Sequence, residues 1–431
     1  MIYSNLGINA AGHLTFGGQD TAALAEKYGT PLYLMDEARI RRNCRIYTQA
    51  FRAHFGDNAL PLYAGKAASF KHIYTLVREE GLGIDVVSPG EIQTAFLAGF
   101  PLENAYFHGN NKTDADIAFA MERGVGYFVV DGPDELAAVD RIAGRRGARQ
   151  KILLRLTPGI DPHTYDAVNT GMVDSKFGTA IETGQALPLA EAALALPSVS
   201  LEGFHCHVGS QVFEEDVFQR ASLIMLRFFA RLRDRTGYVT RQFDIGGGYG
   251  VPYVESDGAV DVAARIGEVA RAMKAEAAAL GIPLPKILME PGRSIVADAG
   301  LTLYTAGAVK EIPGYKNYVS VDGGMTDNPR YALYGSKYTV YAAGRMNERA
   351  DFLCDLVGRC CESGDILQPR VTLPKPRRGD LIAVCGTGAY NYSMASNYNR
   401  VPRPPIVMVN GGTDYVAVRR ETPDDLVRND L

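Results

Sequence analysis

From residue 60 onward the chain repeats one unit, a short apolar strand followed by an amphipathic helix, until about residue 290. The pattern predicts strands at Leu60 to Ala64, Ile84 to Val87, Ala105 to His108, Tyr127 to Val130, Lys151 to Leu156, Leu201 to His205, Gln242 to Ile245 and Lys286 to Met289. Helical periodicity falls between most of them, at Phe70 to Glu80, Glu91 to Ala98, Asp114 to Arg123, Asp134 to Ile142, Gly184 to Leu194, Glu214 to Asp234 and Val260 to Leu280. Strands joined by crossovers of this length pair in parallel, and a set of eight closes a (β/α)₈ barrel. An open doubly wound sheet is the alternative.

Past residue 300 the alternation stops. Seven short β-rich runs, separated by Gly, Pro or Asp, follow from Leu301 to Arg419 and predict a second, all-β domain. Residues 1 to 18 read as a small hairpin, and Asp20 caps a helix that ends at Gly29. The hairpin has no helix to partner it. The expected division is therefore a barrel over residues 31–290 and a β domain built from 1–30 and 291–431, the latter supplying substrate and dimer-interface residues.

Barrel enzymes carry their sites on the loops that follow the strands, and here the chemically loaded residues sit there. Lys66 follows the first strand and Asp85 lies in the second. His108 opens a polar run after the third, and His207-Val-Gly-Ser210 follows the sixth. Gly246-Gly247-Gly248 follows the seventh and Glu290-Pro-Gly292-Arg293 the eighth. Glycine loops let backbone N–H groups approach an anion, and Arg293 adds a cation, so the last two loops suit a phosphate. No P-loop motif is present. A phosphate cradle with a lysine at a strand end points to pyridoxal phosphate, which needs a lysine amine and a carboxylate for its ring nitrogen. Glu290 is the candidate for the second role, with His207 against the ring face.

Composition narrows the partners. A formal net charge of −4 over 431 residues, without a long basic run, disfavours nucleic acid and anionic membranes. No stretch approaches a membrane span, and Met1 to Gly18 lacks the pattern of a secretion signal, so a cytoplasmic location is expected. The six cysteines lack the spacing of a zinc site or a disulfide framework, so no metal is expected.

Tyr63-Ala-Gly-Lys66-Ala, His207-Val-Gly-Ser210-Gln, Asp244-Ile-Gly-Gly-Gly248, Glu290-Pro-Gly-Arg293, Cys361-Glu362-Ser-Gly-Asp365 and Gly388-Ala-Tyr390 resemble the fold-type III pyridoxal-phosphate decarboxylases, in particular the branch acting on diaminopimelate. The match runs from about Leu32 to Val409. The resemblance implies that Lys66 holds the cofactor covalently, that His207 stacks on its ring and that Glu290 pairs with its ring nitrogen. Asp85 would sit near Lys66 and His207. Ser210, Gly247, Gly248, Gly292 and Arg293 would surround the phosphate, with Tyr390 touching phosphate and substrate. Cys361 would return a proton after carbon dioxide leaves, reaching across from a second subunit, so a homodimer is implied. The far head of the substrate would meet Arg293, Arg330 and Tyr334 through its carboxylate and Glu362 through its ammonium. Glu362 separates this branch from relatives acting on ornithine or arginine, in which an aspartate is expected after the cysteine. A related decarboxylase acting on ornithine, lysine or arginine and an amino-acid racemase of the same fold are the other enzyme readings, and a cofactor-binding protein without activity is a further one. Proline at position 89 departs from the small residue many relatives carry there.

Overall fold

All eight anticipated barrel strands form in the computed structural model, which describes residues 1–160 and 173–431. They are Ala59–Ala64, Gly83–Val86, Ala105–Phe107, Tyr127–Val130, Gln150–Thr157, Val199–His205, Gln242–Asp244 and Lys286–Met289. Each pairs in parallel with the next. The eighth pairs with the first, Met289 opposite Pro61, so the ring closes and no strand edge is left over. A doubly wound open sheet is thereby excluded. Within the ring Leu62, Tyr106, Val129, Leu153 and Leu288 make one buried cluster, each worth about 1.5–3 kcal/mol of apolar burial. The Tyr106 hydroxyl donates to Gln242 Oε1 at 2.9 Å, from the third strand to the seventh, which fixes this as the inward face.

The predicted helices form with small boundary shifts, for example Lys71–Glu79, Pro89–Leu97 and Val262–Ala279. Pro89 occupies the first helical turn behind the cap Ser88, whose hydroxyl accepts from Glu91 N. Proline is tolerated there because that N–H has no helical partner. One long helix, Glu37–Phe55, escaped the sequence reading. Its buried residues Ile40, Cys44, Tyr47 and Phe51 follow the helical period, but five arginines among them obscure the stripe.

The chain divides into two compact units, Cys44–Gly250 with Ala259–Ser294, and Met1–Asn43 with Val251–Gly258 and Ile295–Leu431. The first junction thus falls 13 residues later than the expected 30/31, and the return crossing at 294 rather than 290. The cause is Leu32–Asp36, an unanticipated strand that runs antiparallel to Gly300–Ile312 and parallel to Ile406–Asn410 in the second unit's sheet. That nine-stranded sheet also contains Lys316–Val321, Phe352–Val357, Leu381–Cys385, Thr413–Val418 and an unpredicted strand, Ile366–Leu373. The amino-terminal hairpin forms as Leu6–Ile8 against Leu14–Phe16, extended by Gln19–Asp20. Leu14, Phe16, Leu34, Leu301, Leu303 and Val407 share its core.

Candidate active site

Side chains in a strand alternate between faces, so residues two places beyond the buried inward cluster also point inward, at the carboxyl end of the barrel. Tyr106 leads to His108, Leu153 to Arg155, Gln242 to Asp244 and Leu288 to Glu290. Asp85 and His205, from the second and sixth strands, join them. All six are buried.

Glu290 is the centre of this group. His108 Nε2 lies 2.7 Å from one carboxylate oxygen and His205 Nε2 lies 3.3 Å from the other. Asp85 Oδ1 stands 3.9 Å from the same His108 nitrogen. The ligand atoms of His108, His205, Asp244 and Glu290 all fall within 4.8 Å of one another, so the charge on each governs the rest. Burial alone would push the Glu290 carboxyl up, but His108 and His205 outweigh it and hold the group well below its usual range. Asp244 goes the other way. Burial, then the Glu290 charge beside it, push the Asp244 carboxyl well above its ordinary range. Burial also raises Asp85, against the opposing pull of His108. Burial lowers His205 to about 4 despite Glu290; a neutral imidazole facing a carboxylate must carry its hydrogen on Nε2.

Around this centre lie the residues expected from the sequence. Lys66 sits in the single turn Gly65–Ala67 that follows the first strand. Lys66 is exposed, yet its charge bears on both Asp85 and His207. His207 accepts from Gly247 N through Nδ1 at 3.3 Å; burial, and then Lys66, hold its imidazole well below its usual pKa. Arg293 is buried and donates to Ser210 Oγ from Nε at 3.3 Å and from a terminal nitrogen at 3.1 Å. The last glycine loop tolerates no side chain. A Cβ on Gly247 would lie 2.0 Å from the Glu290 carbonyl oxygen, and one on Gly248, whose φ is +130°, would lie 2.0 Å from that of Gly209.

The remaining expected residues belong to the other unit. Arg330 opens the short helix Arg330–Tyr334, and its buried guanidinium lies 5.0 Å from the Tyr334 ring centre and 5.1 Å from that of Tyr390. Tyr390 takes the left-handed backbone at φ 66°, a conformation that costs a non-glycine residue about 1–3 kcal/mol and concentrates at functional sites. Cys361 and Glu362 are exposed on the loop after Phe352–Val357. Asp365 ties that loop down: one carboxylate oxygen accepts from Cys360 N at 2.7 Å and the other from Met325 N at 2.6 Å. Burial, followed by Asp365, pushes the Cys360 thiol up to about 11, and the Cys361 backbone N–H donates to Asn399 Oδ1 at 2.8 Å.

Sequence reasoning missed Arg155 and His205 and gave no role to His108 or Asp244. The signal was the two-residue parity from the inward cluster, legible once the strands were known.

The family model for the pyridoxal-dependent decarboxylase, pyridoxal binding domain, matches residues 37–297. The diaminopimelate decarboxylase of Bacillus subtilis is 45% identical over 423 residues, covering 98% of this chain and 96% of that protein. That of Staphylococcus aureus is 40% identical and covers 98% of both. The crystal structure of diaminopimelate decarboxylase from M. jannaschii in co-complex with L-lysine superposes with a TM-score of 0.91 at 31% identity, covering 99% of this chain and 98% of that one.

Proposed function

The chain belongs to the pyridoxal-dependent decarboxylases, in the branch of the diaminopimelate decarboxylases, and from that premise we propose that it converts meso-diaminopimelate into L-lysine and carbon dioxide, the last step of lysine biosynthesis. The residues fit pyridoxal phosphate. Arg293 on Ser210, beside glycine loops that a Cβ would fill, offers a cation and a hydroxyl to a phosphate. One loop therefore carries both a buried anion, Glu290, for a ring nitrogen and a cation for the opposite end of the same molecule, and this is the observation that most strongly supports the reading.

When bound, the cofactor supplies the electron sink that makes loss of carbon dioxide feasible. The protein does the rest. Lys66 would hold the cofactor through its amine. Glu290, ionised, would face the ring nitrogen, and neutral His207 would face the ring. Arg330, flanked by two tyrosine rings, takes the distant carboxylate of the substrate through a planar fork that a lysine lacks, with Tyr334 beside it, and Glu362 takes the ammonium. Cys361 delivers a proton to the carbon that carboxylate loss leaves behind. That thiol comes from a second copy of the chain, so the working unit is a homodimer in the cytoplasm. Among the described residues no helix is long and apolar enough to cross a membrane.

Purified protein should form lysine from meso-diaminopimelate, faster with added cofactor, and should not turn over ornithine. Lys66→Ala should abolish both turnover and the visible absorption of bound cofactor. Full activity in that variant would sink the assignment.

A further inference from the structure

Glu290 works, on the reading above, only as an anion, and its surroundings oppose that. It is buried, it faces two more carboxyl groups, Asp85 and Asp244, and burial by itself would make it keep a proton. We propose that His108 and His205 are positioning residues that hold the Glu290 carboxylate ionised, one imidazole nitrogen against each oxygen.

The geometry supports this. His205 Nε2 is hydrogen-bonded to one Glu290 oxygen at 3.3 Å, and His108 Nε2 lies 2.7 Å from the other as a close charge contact, with Asp85 Oδ1 3.9 Å from the same nitrogen. Asp244 is held from its other side, where Oδ1 accepts from Gly246 N at 2.9 Å. The two imidazoles meet edge to face, with ring centres 4.9 Å apart, which locks the angle at which each addresses Glu290. Arg155, also buried, adds a positive charge that acts on both Asp85 and Glu290. A direct chemical role for either histidine would need it to touch the reacting atoms; both are instead committed to Glu290.

The inference rests on the proposed role of Glu290, and the test separates the two. Holoenzyme is reconstituted with pyridoxal phosphate isotopically labelled at the ring nitrogen, and the nitrogen NMR shift reports whether that atom is protonated. Glu290→Ala should move the shift to that of neutral pyridine; if it does not, the reading of Glu290 fails. His108→Gln/His205→Gln, still loaded with cofactor by its visible absorption, should move the shift the same way and lower kcat by about tenfold to a hundredfold with KM little changed. The single variants should fall between, and they serve in place of the double variant if that does not fold. Cofactor-loaded histidine variants that keep the wild-type shift, while Glu290→Ala loses it, would overturn this inference alone.

Discussion

At the scale of single residues, the site depends on atoms that are missing as much as on those present. Gly247 gives its N–H to His207 while its Cα approaches the Glu290 carbonyl so closely that a methyl group would lie 2.0 Å from that oxygen. The obstruction is backbone, which cannot swing aside as a flexible side chain does. Gly247→Ala should therefore displace the Glu290 strand end, cost about 1–3 kcal/mol in denaturant unfolding as overpacking does elsewhere, and weaken cofactor retention measured by dialysis and absorbance. An unchanged unfolding midpoint with full cofactor retention would contradict the geometry. Lys66, Glu290 and the glycine loops were legible in the sequence because their chemistry is rare at strand ends. His205 and Arg155 were not, because a histidine or arginine inside an apolar strand reads as a solvated or structural residue until its face is known.

At the scale of elements, Asp365 is the joint between two loops. It binds the backbone of Met325, five residues before Arg330, and that of Cys360, next to Cys361. Gly324 and Gly358 make room for it, for a Cβ on either would fall 2.6 Å or less from an Asp365 oxygen. Asp365→Asn replaces one acceptor with a donor and must release one loop. We expect a loss of about 1–3 kcal/mol for the bond left unmade, a raised KM and a lowered kcat, and little change in cofactor affinity, whose proposed residues, Tyr390 apart, lie on the barrel. Equal losses of cofactor and substrate binding would contradict this division. The sequence contained Cys361-Glu-Ser-Gly-Asp365 as a motif, but no periodicity links residue 365 to residue 325, so the tie is invisible without coordinates. The strand Leu32–Asp36 was obscure for the same reason: its partners are about 270 and 370 residues away in sequence, beyond the reach of local pattern.

At the scale of the whole molecule, the proposed use of Cys361 from a second copy makes a specific demand on the assembly. Lys66→Ala and Cys361→Ala proteins, each inactive or nearly so alone, should recover about a quarter of wild-type activity when mixed and allowed to exchange subunits, the statistical yield of one intact site in half the dimers of a twofold assembly. No recovery, with exchange verified by mass, would place the thiol and the lysine of one site in the same copy. The sequence alone determined eight strands joined by crossovers, the order of the loops that follow them, and the residue types those loops present, because strand alternation and glycine punctuation are local properties; closure of the ring was decided by the pairing of the eighth strand with the first. Only the tertiary structure decided which of three buried carboxyl groups carries the charge. Protonation depends on burial and on distances of a few ångströms between side chains from different strands, and those distances exist only after the ring has closed.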